Sequence, residues 1–378
     1  MMFMNNDHGG LYIHVPFCLS KCGYCSFYST ALTHLIPEFV EAVINEMALY
    51  DNIFSSFDTI YIGGGTPSLL SVQQIDDILK AVHHNFDIDR QTEITMEVNP
   101  GDVSFEYFQT LRQLGINRLN IGIQSFDDHL LKFLGRRHTA NVAVAAINAA
   151  RKAGFNNIGM DLIYGVSGQD IDTWKQTLKK ALSFIPEHLS CYQLSLGKKT
   201  PLAKLYKQDG LQLPSENQSL DFFMTTSQIL TDAGYIHYEV SNFARTDFFK
   251  SRHNMKYWRH APYLGLGPAA HSFMDRKRWW NKAVVKSYLK NISEGKKSID
   301  KSENLTLEQL AFESIFLAMR TKDGINLANY KTCFGSDLLV EKRQIIEALI
   351  KNNLLELKNG SICPTLSGMA VADSLALI

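Results

Sequence analysis

Short apolar runs rich in β-branched residues alternate with amphipathic stretches over the first half of the chain. The runs predict strands, and the apolar spacing of three to four residues between them predicts helices. The six predicted strands lie near residues 11–15, 59–62, 94–98, 118–123, 158–163 and 189–194. Parallel strands joined by right-handed helical crossovers follow from this alternation.

The predicted helices have recognisable ends. Pro37 opens one helix, Ser71 can cap the next, and Gly154 follows a third with an apolar face. Six consecutive strand-helix units favour a full or partial barrel over an open sheet. We therefore predict an α/β fold built on a partial (β/α)6 TIM-like barrel.

The second half of the chain is less regular. A helix is expected near residues 211–234, then the strand-like YIHYEV and an aromatic-rich segment over 253–280. Two further helices and a hairpin turn at Asn359-Gly360 suggest a small winged-helix-like domain. The predicted divisions are a core domain over 1–240, a connecting segment over 241–300 and a C-terminal domain over 301–378.

Composition limits the protein classes that fit. The 378 residues are 45% hydrophobic and 20% charged, a balance that excludes global disorder. Lys+Arg and Asp+Glu both number 38, so no net field attracts nucleic acid or an acidic membrane. No apolar run approaches the roughly 18 residues of a spanning helix, and the start lacks the features of a signal peptide. We expect a cytoplasmic protein.

Three of the six cysteines are clustered directly after the first predicted strand, as Cys18-x3-Cys22-x2-Cys25. Three thiolates can hold three irons of a 4Fe-4S cube and leave the fourth iron open. A zinc site that takes His14 or a distant residue as fourth ligand is an alternative, as are unligated thiols. The remaining cysteines are expected to be buried side chains without chemistry: Cys191, Cys333 and Cys363.

Further polar and glycine-rich positions fall where predicted strands end. A Gly-Gly-Gly-Thr-Pro loop over 63–67 follows the second strand, and no Gly-Lys-Ser/Thr follows it as a phosphate loop requires. Glu97, Gln124 and Asp161 lie at the ends of the third, fourth and fifth strands. Each has an alternative role in a turn or cap, but together they outline one site, because barrel active sites lie at this end.

The cysteine spacing after a first strand resembles the radical S-adenosylmethionine (SAM) superfamily. In that family the amino and carboxylate groups of SAM chelate the open iron. The resemblance implies contacts with the amino acid end of SAM from Gly64, Gly65, Thr66, Glu97 and Arg136. It also implies that Gln124 and Asp161 contact the ribose region, and that Tyr12 reaches the site. Arg136 fits the family spacing, and the adjacent Arg137 is the alternative.

The motifs YIHVPFC, GGGTPS, EVNPG, IGIQSF and DLIYG together resemble the oxygen-independent coproporphyrinogen III dehydrogenase (HemN) group over nearly the whole chain. Two features depart from the dehydrogenase itself. Phe27 stands where that enzyme has a fourth cysteine, and only eleven residues precede Tyr12 in place of a longer arm. Both features resemble a related branch of heme chaperones.

A third feature of that branch is the motif HNxxYW, present here as His253, Asn254, Tyr257 and Trp258. In the family it is implicated in heme binding. Neutral imidazole ligates heme iron, and aromatic side chains pack against a porphyrin. A structural role for His253 and iron ligation by His271 are the alternatives, and the pair Trp279-Trp280 is expected to serve in packing rather than as a cofactor wall.

The resemblance implies a heme chaperone with a 4Fe-4S cluster, SAM and heme. It implies an acceptor hemoprotein as partner, such as a respiratory enzyme, with peripheral membrane association and a homodimer as further expectations. The alternative function is oxidative decarboxylation of coproporphyrinogen III. A nucleic-acid-binding winged helix is disfavoured, because its candidate helix over 340–352 balances acidic and basic residues.

Overall fold

The structure is a computed structural model that describes residues 8–375. The start of the chain, from which we predicted the lack of a signal peptide, lies largely outside the described residues. The same holds for the last three residues of the predicted C-terminal domain.

Twelve strands form one sheet and three form another. The strands are β1 (Gly9–Val15), β2 (Ser56–Gly64), β3 (Asp87–Val98), β4 (Arg118–Gln124), β5 (Ile158–Tyr164), β6 (His188–Gln193), β7 (Ile236–Glu239), β8 (Asn242–Ala244), β9 (Tyr263–Leu266), β10 (His271–Met274), β11 (Lys277–Asn281), β12 (Ile299–Asn304), β13 (Ile325–Asn326), β14 (Leu355–Lys358) and β15 (Ser361–Pro364).

Helices connect most of these strands and cover the large sheet. They are α1 (Ile36–Ala48), α2 (Val72–Asn85), α3 (Phe105–Gln113), α4 (Asp128–Leu134), α5 (Ala140–Lys152), α6 (Ile171–Leu182), α7 (Pro201–Lys207), α8 (Glu216–Asp232), α9 (Arg252–Trp258), α10 (Val285–Ser293), α11 (Leu307–Ala318), α12 (Leu327–Phe334), α13 (Leu338–Glu341), α14 (Arg343–Lys351), α15 (Leu366–Ala370) and α16 (Ala372–Leu375).

The large sheet has the order β12-β11-β10-β9-β1-β2-β3-β4-β5-β6-β8-β7. Strands β1 to β6 are parallel and adjacent in chain order, as the repeat predicted. β1 also pairs with β9, and β6 also pairs with β8, so the first and last parallel strands have different neighbours. The predicted partial barrel is confirmed: the six-stranded run stays open between β1 and β6.

Alternation along β1 separates the two faces of the barrel. Leu11, Ile13 and Val15 are fully buried in the core that the sheet shares with the surrounding helices. The residues between them, Tyr12 and His14, lie on the opposite face, because successive strand side chains point to opposite sides. The same rule on the other parallel strands directs polar side chains to the inside of the barrel.

Local signals position several elements as predicted. Ser71 forms a capping box with Gln74 at the start of α2. Asn359 and Gly360 adopt φ of 51° and 76° in the β14–β15 turn, as a two-residue hairpin loop requires. The helix predicted near 340–352 differs, because Lys342 leaves helical geometry (φ −113°, ψ 20°) and separates α13 from α14.

The C-terminal region has its own small sheet, β13-β15-β14, and its own core. Two backbone bonds tie it to the large sheet: Val240 N–H donates to the Arg320 carbonyl, and Lys322 N–H donates to the Tyr238 carbonyl, each at 3.0 Å. The segment 241–300, expected as a connection, contributes β8 to β11 and part of β12 to the large sheet. Across residues 8–375 no helix has the length and apolar character needed to cross a membrane.

Candidate functional site

The carboxyl ends of the parallel strands surround a cavity of about 1390 Å³. Its wall includes Tyr61 of β2, Glu97 of β3, Asn120 of β4, Asp161 of β5 and Tyr192 of β6. Barrel folds collect functional side chains at this end, because the loops after the strands meet there. The predicted convergence of polar strand-end residues is therefore seen in the structure.

The cysteine loop forms one side of the cavity, and Cys18, Cys22 and Cys25 all line it half-buried. Its base is closed by two backbone bonds, from Cys18 N–H to the Thr30 carbonyl at 3.0 Å and from Thr30 N–H to the Pro16 carbonyl at 2.7 Å. These bonds fold the segment after β1 back on itself. The three thiols consequently face one space.

Two donors contact the sulfur atoms. The Thr66 hydroxyl lies 3.3 Å from Cys18 Sγ, and Arg136 Nη1 lies 3.5 Å from Cys22 Sγ. Burial raises the pKa of the Cys25 thiol. Metal ligation requires thiolates, and neighbouring donors and a cation stabilise their negative charge. The donor set fits a metal cluster.

A single-ion site is less well matched. Among residues 8–375 no three His, Cys, Asp or Glu side chains are grouped closely enough to hold one metal ion. His14, the candidate fourth zinc ligand, is 4% exposed, with Nδ1 at 2.9 Å from the Tyr12 hydroxyl and Nε2 at 3.0 Å from the Tyr28 carbonyl. In a 4Fe-4S cube each cysteine binds a different iron. The three thiols of this loop suit that arrangement.

The glycine loop lies tightly against the first strand. Gly64 has φ of +113°, and a Cβ there would lie 2.6 Å from His14 Nδ1. A Cβ on Gly65 would lie 2.7 Å from the Phe17 carbonyl oxygen. Only glycine allows the loop to approach the cysteine segment this closely. The close approach also directs the Gly64 N–H to Glu97 Oε2 at 3.0 Å.

Two half-buried carboxylates face the cavity. Glu97 accepts a hydrogen bond from the Tyr61 hydroxyl at 2.8 Å, and burial together with nearby Asp161 raises the pKa of Glu97 to about 7. Asp161 accepts from Asn120 Nδ2 at 2.6 Å, and burial raises its pKa as well. Gln124 completes this edge with φ of 66° at the end of β4. Such a set can bind an ammonium group and hydroxyls.

The structure separates the two adjacent arginines. Arg136 Nη2 donates to Asn99 Oδ1 at 3.1 Å and to the Gly122 carbonyl at 2.9 Å, which holds the guanidinium beside the cysteine loop. Arg137 instead donates to both carboxylate oxygens of Asp102, at 2.6 and 2.8 Å. Both arginines line the cavity, but only Arg136 contacts the cysteine loop, while Arg137 is paired with Asp102.

Tyr12 lies beneath the cavity and is not among the residues that line it. Its ring centroid is 6.2 Å from that of Tyr61 and 6.4 Å from that of His253. Burial raises its pKa further above the ordinary tyrosine range. Tyr12 therefore lies in an aromatic layer between the cavity floor and the motif helix α9.

His253 of the HNxxYW motif is 1% exposed, and both of its ring nitrogens have hydrogen-bond partners. Its Nδ1 lies 2.9 Å from the Thr59 hydroxyl and its Nε2 lies 2.8 Å from the Tyr257 hydroxyl, while its ring stacks on Tyr61 at 5.2 Å. Burial lowers the pKa of His253 to about 3, with a further contribution from Lys256. The imidazole is neutral and closed off from the cavity.

The rest of the motif lies nearer the surface. Asn254 and Trp258 are partly exposed, and the Trp258 ring lies 5.5 Å from the Arg320 guanidinium, which belongs to the cavity wall. His271 is exposed and stacks on Trp280, with centroids 5.3 Å apart. Trp279 packs in the interior against Tyr50.

Comparisons with known proteins place this geometry in a family. The family model of the radical SAM superfamily matches residues 12–181, and that of the HemN C-terminal domain matches 305–371. The chain is 35% identical over 345 residues to the heme chaperone HemW of Lactococcus lactis, which covers 91% of this chain and 90% of that relative. This chain belongs to the HemW family. A HemW of Bacillus subtilis is 30% identical over 368 residues, with 96% of this chain and 97% of the relative covered.

Among solved structures, the coproporphyrinogen III oxidase HemN of Escherichia coli superimposes with a TM-score of 0.85. The match covers 98% of this chain and 89% of that protein at 24% identity. It shows that this HemW family member shares the HemN fold from the barrel through the C-terminal domain.

Membership of the radical SAM superfamily implies a 4Fe-4S cluster and SAM. When bound, this pair supplies one-electron chemistry at the cavity. The residues of this chain that would hold the cluster are Cys18, Cys22 and Cys25, with Thr66 and Arg136 as donors to sulfur. The carboxylates and glycine loop lie on the same cavity wall and are available for SAM.

Three residues of the site were missed in the sequence. Arg118 is 1% exposed inside the barrel, and its charge partly opposes the rise in pKa that burial causes in Glu97 and Asp161. Tyr24 of the cysteine loop lies against Arg136, and Arg320 reaches the cavity from the C-terminal region. Nothing in local sequence distinguishes these residues from surface or packing residues, because their roles depend on distant elements.

Proposed function

We propose that this protein is a heme chaperone, which binds heme and transfers it to an acceptor hemoprotein. The observation that carries the proposal is the nearly full-length match to relatives named heme chaperone HemW. Phe27 supports this choice over coproporphyrinogen oxidation, because it stands at the cavity wall where the dehydrogenase has a cysteine.

We further propose that the cluster carries SAM on its open iron. Glu97 is suited to the amino group of SAM, because its oxygens accept hydrogen bonds beside the glycine loop. Arg136 offers positive charge to the carboxylate, while Gln124 and Asp161 offer acceptors to the ribose hydroxyls. Gly64, Gly65 and Thr66 complete the contact with the amino acid end, and Tyr12 supports it from the layer beneath.

For the heme, we propose a site formed around the motif residues His253, Asn254, Tyr257 and Trp258. His253 can reach iron through Nε2 only after it leaves the Tyr257 hydroxyl. His271, exposed on Trp280, is the competing ligand because its ring needs no such rearrangement. The proposal predicts that heme binding by His253 involves movement of α9.

The proposed working environment is the cytoplasm, with transfer to an acceptor such as a respiratory hemoprotein at the membrane. Peripheral membrane association would bring donor and acceptor together. A homodimer of this chain is a further part of the proposal, and the cluster loop is well placed to influence it, since Leu19 and Phe27 are exposed there.

The test is an anaerobic titration of heme into cluster-reconstituted protein, with absorbance and bound heme per chain as readouts. Wild type should bind heme stoichiometrically. His253→Ala should weaken binding, and His271→Ala, the matched control at an exposed histidine, should leave it unchanged.

If His271→Ala weakens heme binding and His253→Ala does not, His271 is the iron ligand and the proposed chaperone function stands. Lack of heme binding by wild type would overturn the proposal. Formation of protoporphyrinogen from coproporphyrinogen III, with reductant and SAM, would restore the oxidative enzyme.

A further inference from the structure

Part of the cavity wall carries exposed apolar side chains, which alternate with polar ones such as Asn217 and Ser219. Tyr192 and Leu220 of the barrel side are 39% and 45% exposed, and Val371 of the C-terminal region is 41% exposed. Phe223 extends the same surface. The whole cavity, at about 1390 Å³, is larger than the roughly 300–1000 Å³ of a typical single-ligand pocket. A second ligand with a large apolar face fits beside a cluster and SAM.

One cation stands on this wall. Arg320 follows α11, and its guanidinium lies 5.5 Å from the Trp258 ring and 5.9 Å from the Phe316 ring. Its backbone carbonyl is fixed by Val240 N–H at 3.0 Å. The side chain is 24% exposed, so the charge is both held in place and accessible. Arg320 thereby connects the last residue of the HNxxYW motif with the cavity.

The partner of Arg320 is a carboxylate of the C-terminal helix α16. Asp373 forms an ion pair with Arg320, and its own side chain is 81% exposed. Exposed ion pairs contribute little free energy, so another carboxylate can replace Asp373 at small cost. Glu239 also lies near this cation, and Arg320 lowers its pKa against the larger effect of burial.

We propose that Arg320 binds a propionate carboxylate of heme, and that Asp373 occupies this position until heme displaces it. The inference rests on the proposed function. A flat apolar ring with ionised carboxylates matches a wall on which apolar side chains lie near the Arg320 guanidinium, because arginine binds carboxylates through two parallel hydrogen bonds. The C-terminal helix thus competes with the ligand for the cation.

The experiment compares heme with its dimethyl ester, which keeps the ring and iron and removes both charges. Equilibrium titrations use the full chain with reconstituted cluster. Arg320→Gln should weaken heme binding about tenfold, since it removes a charged hydrogen-bond donor. Asp373→Asn should tighten heme binding about two- to fivefold, because it removes the competing anion. The ester should respond to neither substitution.

Arg259→Gln is the matched control, because Arg259 is exposed on the turn after the motif and is not among the residues that line the cavity. It should leave heme affinity unchanged, and an equal loss in this variant would overturn the proposal as a general charge effect. If Arg320→Gln lowers the unfolding temperature, the test rests on Asp373→Asn, whose side chain is exposed. An unchanged heme affinity in Asp373→Asn then overturns the inference.

The two proposals fail in different ways. If wild type binds heme stoichiometrically and Arg320→Gln and Asp373→Asn bind it with the affinity of wild type, the proposed role of Arg320 is wrong. The proposed chaperone function is then unaffected. Absence of heme binding by wild type overturns the proposed function, and the proposed role of Arg320 with it.

Discussion

The cysteine loop and the motif helix α9 are both recognisable as short sequence motifs, yet their side chains are presented in opposite ways. Cys18, Cys22 and Cys25 are half-buried and face a cavity of about 1390 Å³. His253 is 1% exposed, and both of its ring nitrogens have partners inside the protein. One motif is open to a ligand and the other is closed.

The difference teaches that residue type indicates chemistry, while tertiary contacts decide access. The thiols receive donors from Thr66 and Arg136 and keep the cavity on their other side. The polar groups of the motif helix instead bond to strands β2 and β3. Among them, the backbone N–H of His253 donates to a carboxylate oxygen of Glu93 at 3.1 Å. A buried polar group without such partners would be costly, which favours the closed state.

The largest expected effect tests the open motif. Cys22→Ser should abolish the cluster, because the remaining two thiolates cannot hold three irons. Anaerobic reconstitution should give about four irons per chain in wild type and almost none in the variant. Cys191→Ser is the control, since Cys191 is buried in the core of β6 and should leave the iron content unchanged. Full iron content in Cys22→Ser would contradict the assignment.

The second prediction tests whether His253 is closed in solution. Its folded-state pKa of about 3 lies below the unfolded value of 6.5, so between these pH values only the unfolded chain binds the proton. The stability that a neutral His253 contributes is present above pH 6.5 and is lost as pH falls. His253→Gln removes this dependence.

The measurement is urea unfolding at pH 7.5 and pH 5. Over this interval wild type should lose about 2 kcal/mol more unfolding free energy than His253→Gln. The exposed His84→Gln should follow wild type, because water surrounds that ring in both states. Equal pH dependence of His253→Gln and wild type would mean that the motif histidine is solvated.

The smallest expected effect concerns the release of His253 Nε2 from its hydrogen bond with the Tyr257 hydroxyl. Tyr257→Phe removes the hydroxyl at His253 Nε2 and keeps the ring, so iron ligation no longer has to break that bond. Heme affinity should rise about threefold, since a single neutral hydrogen bond contributes about 1 kcal/mol or less. Heme titration measures it, with Tyr235→Phe as control because that hydroxyl bonds the distant Pro186 carbonyl. Unchanged affinity in Tyr257→Phe would argue for His271 as the ligand.

Local patterns predicted much of the fold. The six parallel strands, the Ser71 cap and the Asn359-Gly360 turn follow from periodicity and from residues with strong conformational preferences. The break at Lys342 was missed, because the helical pattern continues through it and only the geometry of the small domain shows the interruption.

The site was predictable where polar side chains lie on the parallel strands, as Glu97 does near the end of β3 and Asp161 does within β5. It was not predictable where a role depends on a distant partner. Asp102 pairs with Arg137 while Arg136 contacts the cysteine loop, and no spacing rule contains that pairing. The buried charge of Arg118 and the ion pair of Arg320 with Asp373 are of the same kind.

The sequence by itself determined which chemistry this protein carries: three clustered thiols, polar residues at strand ends and the HNxxYW motif within an alternating α/β pattern. Only the tertiary structure decided which of these groups a ligand can reach. Strand order brings the thiols and carboxylates to one cavity, while packing of α9 on β2 buries His253. The physical reason is that periodicity and turn preferences are local, whereas burial, ion pairing and pKa depend on residues far apart in the chain.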